Sequence, residues 1–96
     1  MSEGEEVSVE LTVEHEHGLH LRPAADFVRL AARYQSRIGV SNLTRGKGRV
    51  ANGRSLLEVT ALGVNAGHSI RLTASGDDAA AALEALTALI ESNFTT

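Results

Sequence analysis

The sequence predicts a small α/β domain of the α+β kind, an open-faced sandwich whose four-stranded antiparallel sheet is covered on one face by three helices. Three observations predict it. Val7, Val9, Leu11 and Val13 alternate with Ser8, Glu10, Thr12 and Glu14, as a strand with one wet face requires. Apolar residues take helical spacing twice, over Ala24, Phe27, Val28, Ala31 and Tyr34 and again from Ala79 to Ile90. Alternation returns between them at Ile38 and Val40 and at Ile70, Leu72 and Ala74. Half-wet strands of this kind belong to antiparallel sheets.

In chain order, Met1 to Glu6 are polar and acidic and are expected to fray. The first strand follows, and its period of two ends before Gly18. The first helix should run from about Leu21 to Tyr34, with Asp26, Arg29 and Arg33 on its wet side. Pro23 is compatible with that helix only in its first turn, where the missing N–H removes no internal bond. The helix therefore starts near His20. A second strand holds Ile38 and Val40, Thr44 to Lys47 turn the chain, and Arg49 to Ala51 form a short returning strand. Asn52-Gly53 is a turn pair. Ser55 and Glu58 have capping-box spacing, so a short helix should run from Leu56 to Leu62 and stop at Gly63. Leu56, Val59 and Leu62 share its core-facing stripe, whereas Leu57 lies off it. After the fourth strand, Asp77 and Asp78 are expected to cap a last helix with the stripe Ala79, Ala82, Leu83, Leu86, Leu89 and Ile90. The order is βαββαβα, one domain over residues 1–96.

Composition narrows the function classes. The 96 residues leave no room for a second core. The absence of cysteine excludes disulfides and thiolate metal sites. Without a long apolar run or a basic-then-apolar leader, the expectation is a soluble cytoplasmic protein with no membrane insertion. The formal charge of −3 conceals a segregation. Arg22, Arg29, Arg33, Arg37, Arg45, Lys47, Arg49 and Arg54 lie within a stretch whose sole acid is Asp26, and all the other acids lie outside it. A basic block inside an acidic chain points to an anionic partner: phosphate, an acidic protein surface or nucleic acid.

The segment Gly18-Leu19-His20-Leu21-Arg22-Pro23-Ala24 is where chemistry can sit. Gly18 permits a tight strand-to-helix turn, and His20 falls at the helix start. Free backbone N–H groups and the positive helix end then face whatever the imidazole carries. Arg22 adds a planar cationic fork suited to phosphate. Each helix-end contribution is about 0.3–1 kcal/mol at a surface, a size that suits a group to be handed on.

These residues resemble the phosphohistidine signature of the HPr family, the phosphocarriers of the bacterial phosphoenolpyruvate-dependent sugar phosphotransferase system. The resemblance runs from about Val7 to Ile90 and takes in Asn52-Gly53-Arg54-Ser55-Leu56 and Ser75-Gly76-Asp77-Asp78. It implies an HPr-like open-faced β-sandwich. It also implies that His20 Nδ1 accepts phosphate from enzyme I and passes it to an EIIA-type domain, with Arg22 steadying the phosphoryl group. His17 and Gly18 flank this centre; His17 stands where relatives often carry a small polar residue, and is either a hydrogen-bond donor to the phosphate or a bystander. Ser55 matches the serine that an HPr kinase/phosphorylase modifies in some lineages, although it also suffices as a helix cap, and Glu58 stands where relatives often have glycine. Leu56 and Leu57, rimmed by Arg22, Arg29 and Arg54, imply a docking face for the two partner proteins. The resemblance carries no cofactor, and a monomer is expected.

Other residue patterns in the chain point to rival functions. Glu14, His15, Glu16, His17 and His20 include metal-ligating types, but ligands along one strand end seldom make a site, so no metal is expected. A nucleic-acid binder could use the basic segment 22–54, yet three aromatics give few stacking platforms. An HPr-like carrier serving a nitrogen-related or dihydroxyacetone relay, or a regulatory relative, would keep most of the same residues. An enzyme reading lacks a cluster of acid, base and nucleophile.

Overall fold

The computed structural model describes residues 6–46 and 48–95. Seven elements follow in the expected order: β1 Glu6–Thr12, α1 Leu21–Ala31, β2 Arg37–Asn42, β3 Ala51–Asn52, α2 Leu56–Ala61, β4 Ser69–Ser75 and α3 Ala79–Glu91. Of the stretch expected to fray, Met1 to Glu5 lie outside the described residues, and so does Lys47 of the expected turn. Glu6 opens β1, opposite Ser75.

The sheet order is β1-β4-β2-β3 and every pair is antiparallel. β4 is thus central. Its Ile70, Leu72 and Ala74 are buried, while Arg71 points to the wet face and meets Glu10 of β1, its register partner, at 2.7 Å. The dry face is closed by Ala24, Phe27 and Ala31 of α1 and by Ala82, Leu83, Leu86 and Ile90 of α3. Val7, Val9 and Leu11 are only half-buried because β1 is an edge strand. The three helices lie together on one face: α3 packs on β1 and β4, and α1 packs on both α2 and α3.

Some boundaries differ from the sequence expectation, each for a local reason. α1 stops at Ala31 because Arg33 and Tyr34 donate to Leu30 and Ala31, the tighter bonds of a closing turn. The returning strand starts at Ala51, not Arg49. Gly46 and Gly48 hold left-handed backbone, so the chain comes back to β2 only where Ala51 faces Val40. Ser55 does cap α2, accepting the Glu58 N–H at 3.2 Å. Glu58 does not close the box on Ser55, however; its Oε1 takes the Asn52 N–H at 2.8 Å and ties α2 to β3.

The start of α3 carries a further correction. Asp78 stands at the N-cap position, but its carboxylate makes no cap bond. It turns instead to the end of the α1–β2 connection, accepting from the Gln35 N–H, the Ser36 N–H and the Ser36 hydroxyl at 2.9, 2.9 and 2.5 Å. The Ser36 hydroxyl foremost, then the Gln35 amide, holds this carboxyl below its ordinary pKa of 3.8. As pH falls, the unfolded chain takes up the proton first. The clasp's contribution is therefore fully present above the ordinary carboxylate range and lost as pH falls through the lowered value. Asp78→Asn should accordingly lower the urea midpoint at neutral pH, and its gap from the parent should close as pH falls below the ordinary carboxylate range. A gap that stays constant across that range would contradict the charged clasp.

Candidate functional site

Two distant loops build the site. The segment leaving β1 is pinned at its base, where Val13 donates to the His68 carbonyl at 2.9 Å and accepts from Gly67 at 2.8 Å. It then winds through two turns closed by Gly18 N–H to His15 O at 2.8 Å and His20 N–H to His17 O at 3.2 Å. Between them Leu19 donates to the Val64 carbonyl at 2.9 Å and buries its side chain in the core. Gly18 has a φ of +56°, and a Cβ placed there would lie 2.2 Å from Val64 O and 2.8 Å from Asn65 Cα. Only glycine fits this crossing.

His20 follows as the N-cap of α1, with extended backbone (φ −78°, ψ −170°). Its carbonyl accepts the Ala24 N–H at 2.9 Å, yet its side chain makes no cap bond. The imidazole is exposed, and its Nε2 lies 3.0 Å from Asn65 Oδ1. Among the described residues the N–H groups of Leu21 and Arg22 find no acceptor, and Pro23 has none to offer. Those two donors and the positive end of α1 make the ground beside His20 suitable for an anion. The Arg22 side chain is exposed in the same first turn and makes no hydrogen bond among the described residues.

The other residues singled out from the sequence fall in varied places. The His17 ring contacts Glu16 at 3.3 Å and lies 5.5 Å from the His15 ring, so what touches His20 is the His17 carbonyl. His15 Nδ1 accepts the His17 N–H at 3.0 Å, and its ring meets Phe94 edge-on. The three imidazoles of this segment thus have different neighbours. Ser55 Oγ is occupied as the cap of α2. Val59 and Leu62 are buried as expected, but Leu56 is 37% exposed because it is the first residue of its helix, where fewer neighbours cover it. Leu57 and Leu21 are 79% and 66% exposed. Arg29 pairs with Asp26 at 2.5 Å, and the Arg54 guanidinium donates to the carbonyls of Tyr34 and Ser36. Both arginines are therefore tied within the chain while facing water. Asn65 is the contact that sequence reading missed, since it stands 45 residues from His20 and belongs to no motif.

Comparison with known proteins defines the class. A family model described as the PTS HPr component phosphorylation site matches residues 7–92. The multiphosphoryl transfer protein of Salmonella typhimurium is 50% identical over 80 residues, which cover 83% of this chain and 21% of that protein. The phosphocarrier protein HPr of Haloferax volcanii is 42% identical over 76 residues, covering 79% of this chain and 83% of that one. Among solved structures, HPr from Thermoanaerobacter tengcongensis superimposes with a TM-score of 0.85 at 38% identity, over 92% of this chain and 94% of that chain. The chain belongs to the HPr family of phosphocarrier proteins. It spans about a fifth of the length of the multiphosphoryl transfer proteins that it matches.

The crossing at Gly18 yields a prediction. Gly18→Ala forces a Cβ against Val64 O and a left-handed backbone on alanine. It should cost about 1–3 kcal/mol in urea unfolding. A change below about 0.5 kcal/mol would mean that the two loops can separate freely.

Proposed function

We propose that this domain carries a phosphoryl group on His20 in a phosphoenolpyruvate-dependent phosphotransferase relay, taking it from an enzyme I-type donor and passing it to an EIIA-type acceptor. The observation that carries the reading is the exposed His20 imidazole at the N-cap of α1, beside the unengaged N–H groups of Leu21 and Arg22. Phosphate bound there meets two amide donors, a helix end and the Arg22 fork. Each is a surface interaction of about 0.3–1 kcal/mol, enough to hold a phosphoryl group and little enough to release it. A site this open cannot exclude water or supply an acid and a base of its own. Its partners must bring the catalysis, which is the division of labour expected of a carrier.

Docking follows from the same face. α1 and α2 pack together, and Leu21, Leu56 and Leu57 stand out from them as exposed apolar groups. An interface with an apolar centre and a basic margin suits acidic partner proteins. Incubation with enzyme I and phosphoenolpyruvate, followed by intact mass measurement, should show one acid-labile phosphoryl group. His20→Ala should abolish it without altering the fold. A label that survives in His20→Ala, or no label with a cognate enzyme I, would overturn the assignment.

A further inference from the structure

We infer that Asn65 is a positioning residue for phosphoryl transfer: its side-chain oxygen holds the proton of His20 on Nε2 and so keeps the lone pair on Nδ1. The inference rests on His20 being the phosphoryl carrier, but the contact itself can be measured without that premise. A neutral imidazole carries one N–H and one lone pair, and the partner of one nitrogen decides the role of the other. His20 Nε2 stands 3.0 Å from Asn65 Oδ1, and an amide oxygen can only accept. The proton therefore sits on Nε2, leaving Nδ1 as the nucleophile.

Asn65 is itself firmly placed. Its N–H donates to His68 Nδ1 at 3.1 Å, and its carbonyl accepts the His68 N–H at 3.0 Å. Asn42 Nδ2 also donates to His68 Nδ1, at 3.2 Å. Two donors converge on that nitrogen, so it must carry a lone pair, and the half-buried His68 ring becomes a fixed acceptor. On the other side, Gly18 packs against Asn65 Cα and the Val64 carbonyl. The amide that meets His20 is thus anchored through its own backbone, and its side chain has no other partner among the described residues.

The consequence for transfer can be written in full. The Nδ1 lone pair forms the new N–P bond while the donor's bond to phosphorus breaks, its electron pair leaving with the donor atom. The proton stays on Nε2 throughout. The phosphorylated ring then bears positive charge, so Nε2–H becomes a stronger donor and its bond to Asn65 Oδ1 becomes charge-assisted. Handing the group on reverses these changes. Asn65 thereby disfavours the competing tautomer and supports the loaded ring without touching the phosphate.

The test uses Asn65→Ala and Asn65→Asp in the full chain. Long-range proton–nitrogen NMR of unphosphorylated His20, at a pH where its ring is neutral, reads the tautomer ratio. Phosphorylation by enzyme I and phosphoenolpyruvate reads the rate. Asn65→Ala should lower the Nε2–H to Nδ1–H ratio by roughly 2- to 10-fold, the effect of one ordinary hydrogen bond, and should slow phosphorylation by a similar factor. Asn65→Asp keeps an acceptor and should restore the ratio. Unchanged ratios in both variants would overturn the inference, and so would a slower rate with an unchanged ratio. If the parent protein takes up no phosphate, the functional reading fails instead, and the tautomer ratio alone still decides the role of Asn65.

Discussion

The close crossing of Gly18 over the Val64–Asn65 backbone is the constraint on which the rest of the site depends. It brings the connection from β1 to α1 against the connection from α2 to β4, with the Leu19–Val64 hydrogen bond on top and the Val13–His68 and Gly67–Val13 bonds beneath. A side chain at position 18 would push the loops apart. Without that separation Leu19 seals the core, α1 begins two residues later at Leu21, and His20 stands at a helix start whose position is set by buried backbone. An exposed and chemically simple residue thus inherits its precision from groups that are neither exposed nor reactive.

The charges are arranged to the same end. The basic block seen in the sequence does not form a uniform positive surface. Arg29 is balanced by Asp26, and Arg54 ties down carbonyls that follow α1. These interactions order the edges of the helix face, and at exposed positions such pairs add little stability. The half-buried Asp78 clasp on Ser36 is better placed to matter, since three hydrogen bonds converge on one carboxylate and join α3 to the start of β2. Near His20, by contrast, the donors are left open. Strong fixation of the scaffold and weak fixation of the cargo are what a phosphocarrier requires.

Much of this was legible in the residue order because local physics and tertiary structure agree. Alternation in β1 and β4, the stripe of α3, and the Ser55 cap all survive intact. Pro23 located the start of α1, and with it the placement of His20, because proline tolerates only the first turn. What escaped was long-range. The Asn65 contact spans 45 residues, and the Asp78 clasp reaches back 42 and 43, so no local spacing rule could find them. Asp78 illustrates the reason: its position matches a helix cap, but three donors on a neighbouring segment outcompete the orphan N–H groups of its own helix. Arg49 and Val50 failed as strand residues because the left-handed glycines delay the pairing. Phe94 gave no warning either. It follows α3 in left-handed backbone, its N–H donates to Leu89 O at 2.9 Å, and its ring closes against His15.

The central claim is that phosphate is carried on one nitrogen of one side chain, and it can be read directly. Phosphorus–nitrogen correlated NMR of the protein labelled with nitrogen-15 and loaded by enzyme I identifies the nitrogen bonded to phosphorus. Carriage as described predicts a single phosphorus signal coupled to His20 Nδ1, with the proton of the same ring on Nε2. A coupling to His20 Nε2, or to His15, His17 or His68, would contradict it.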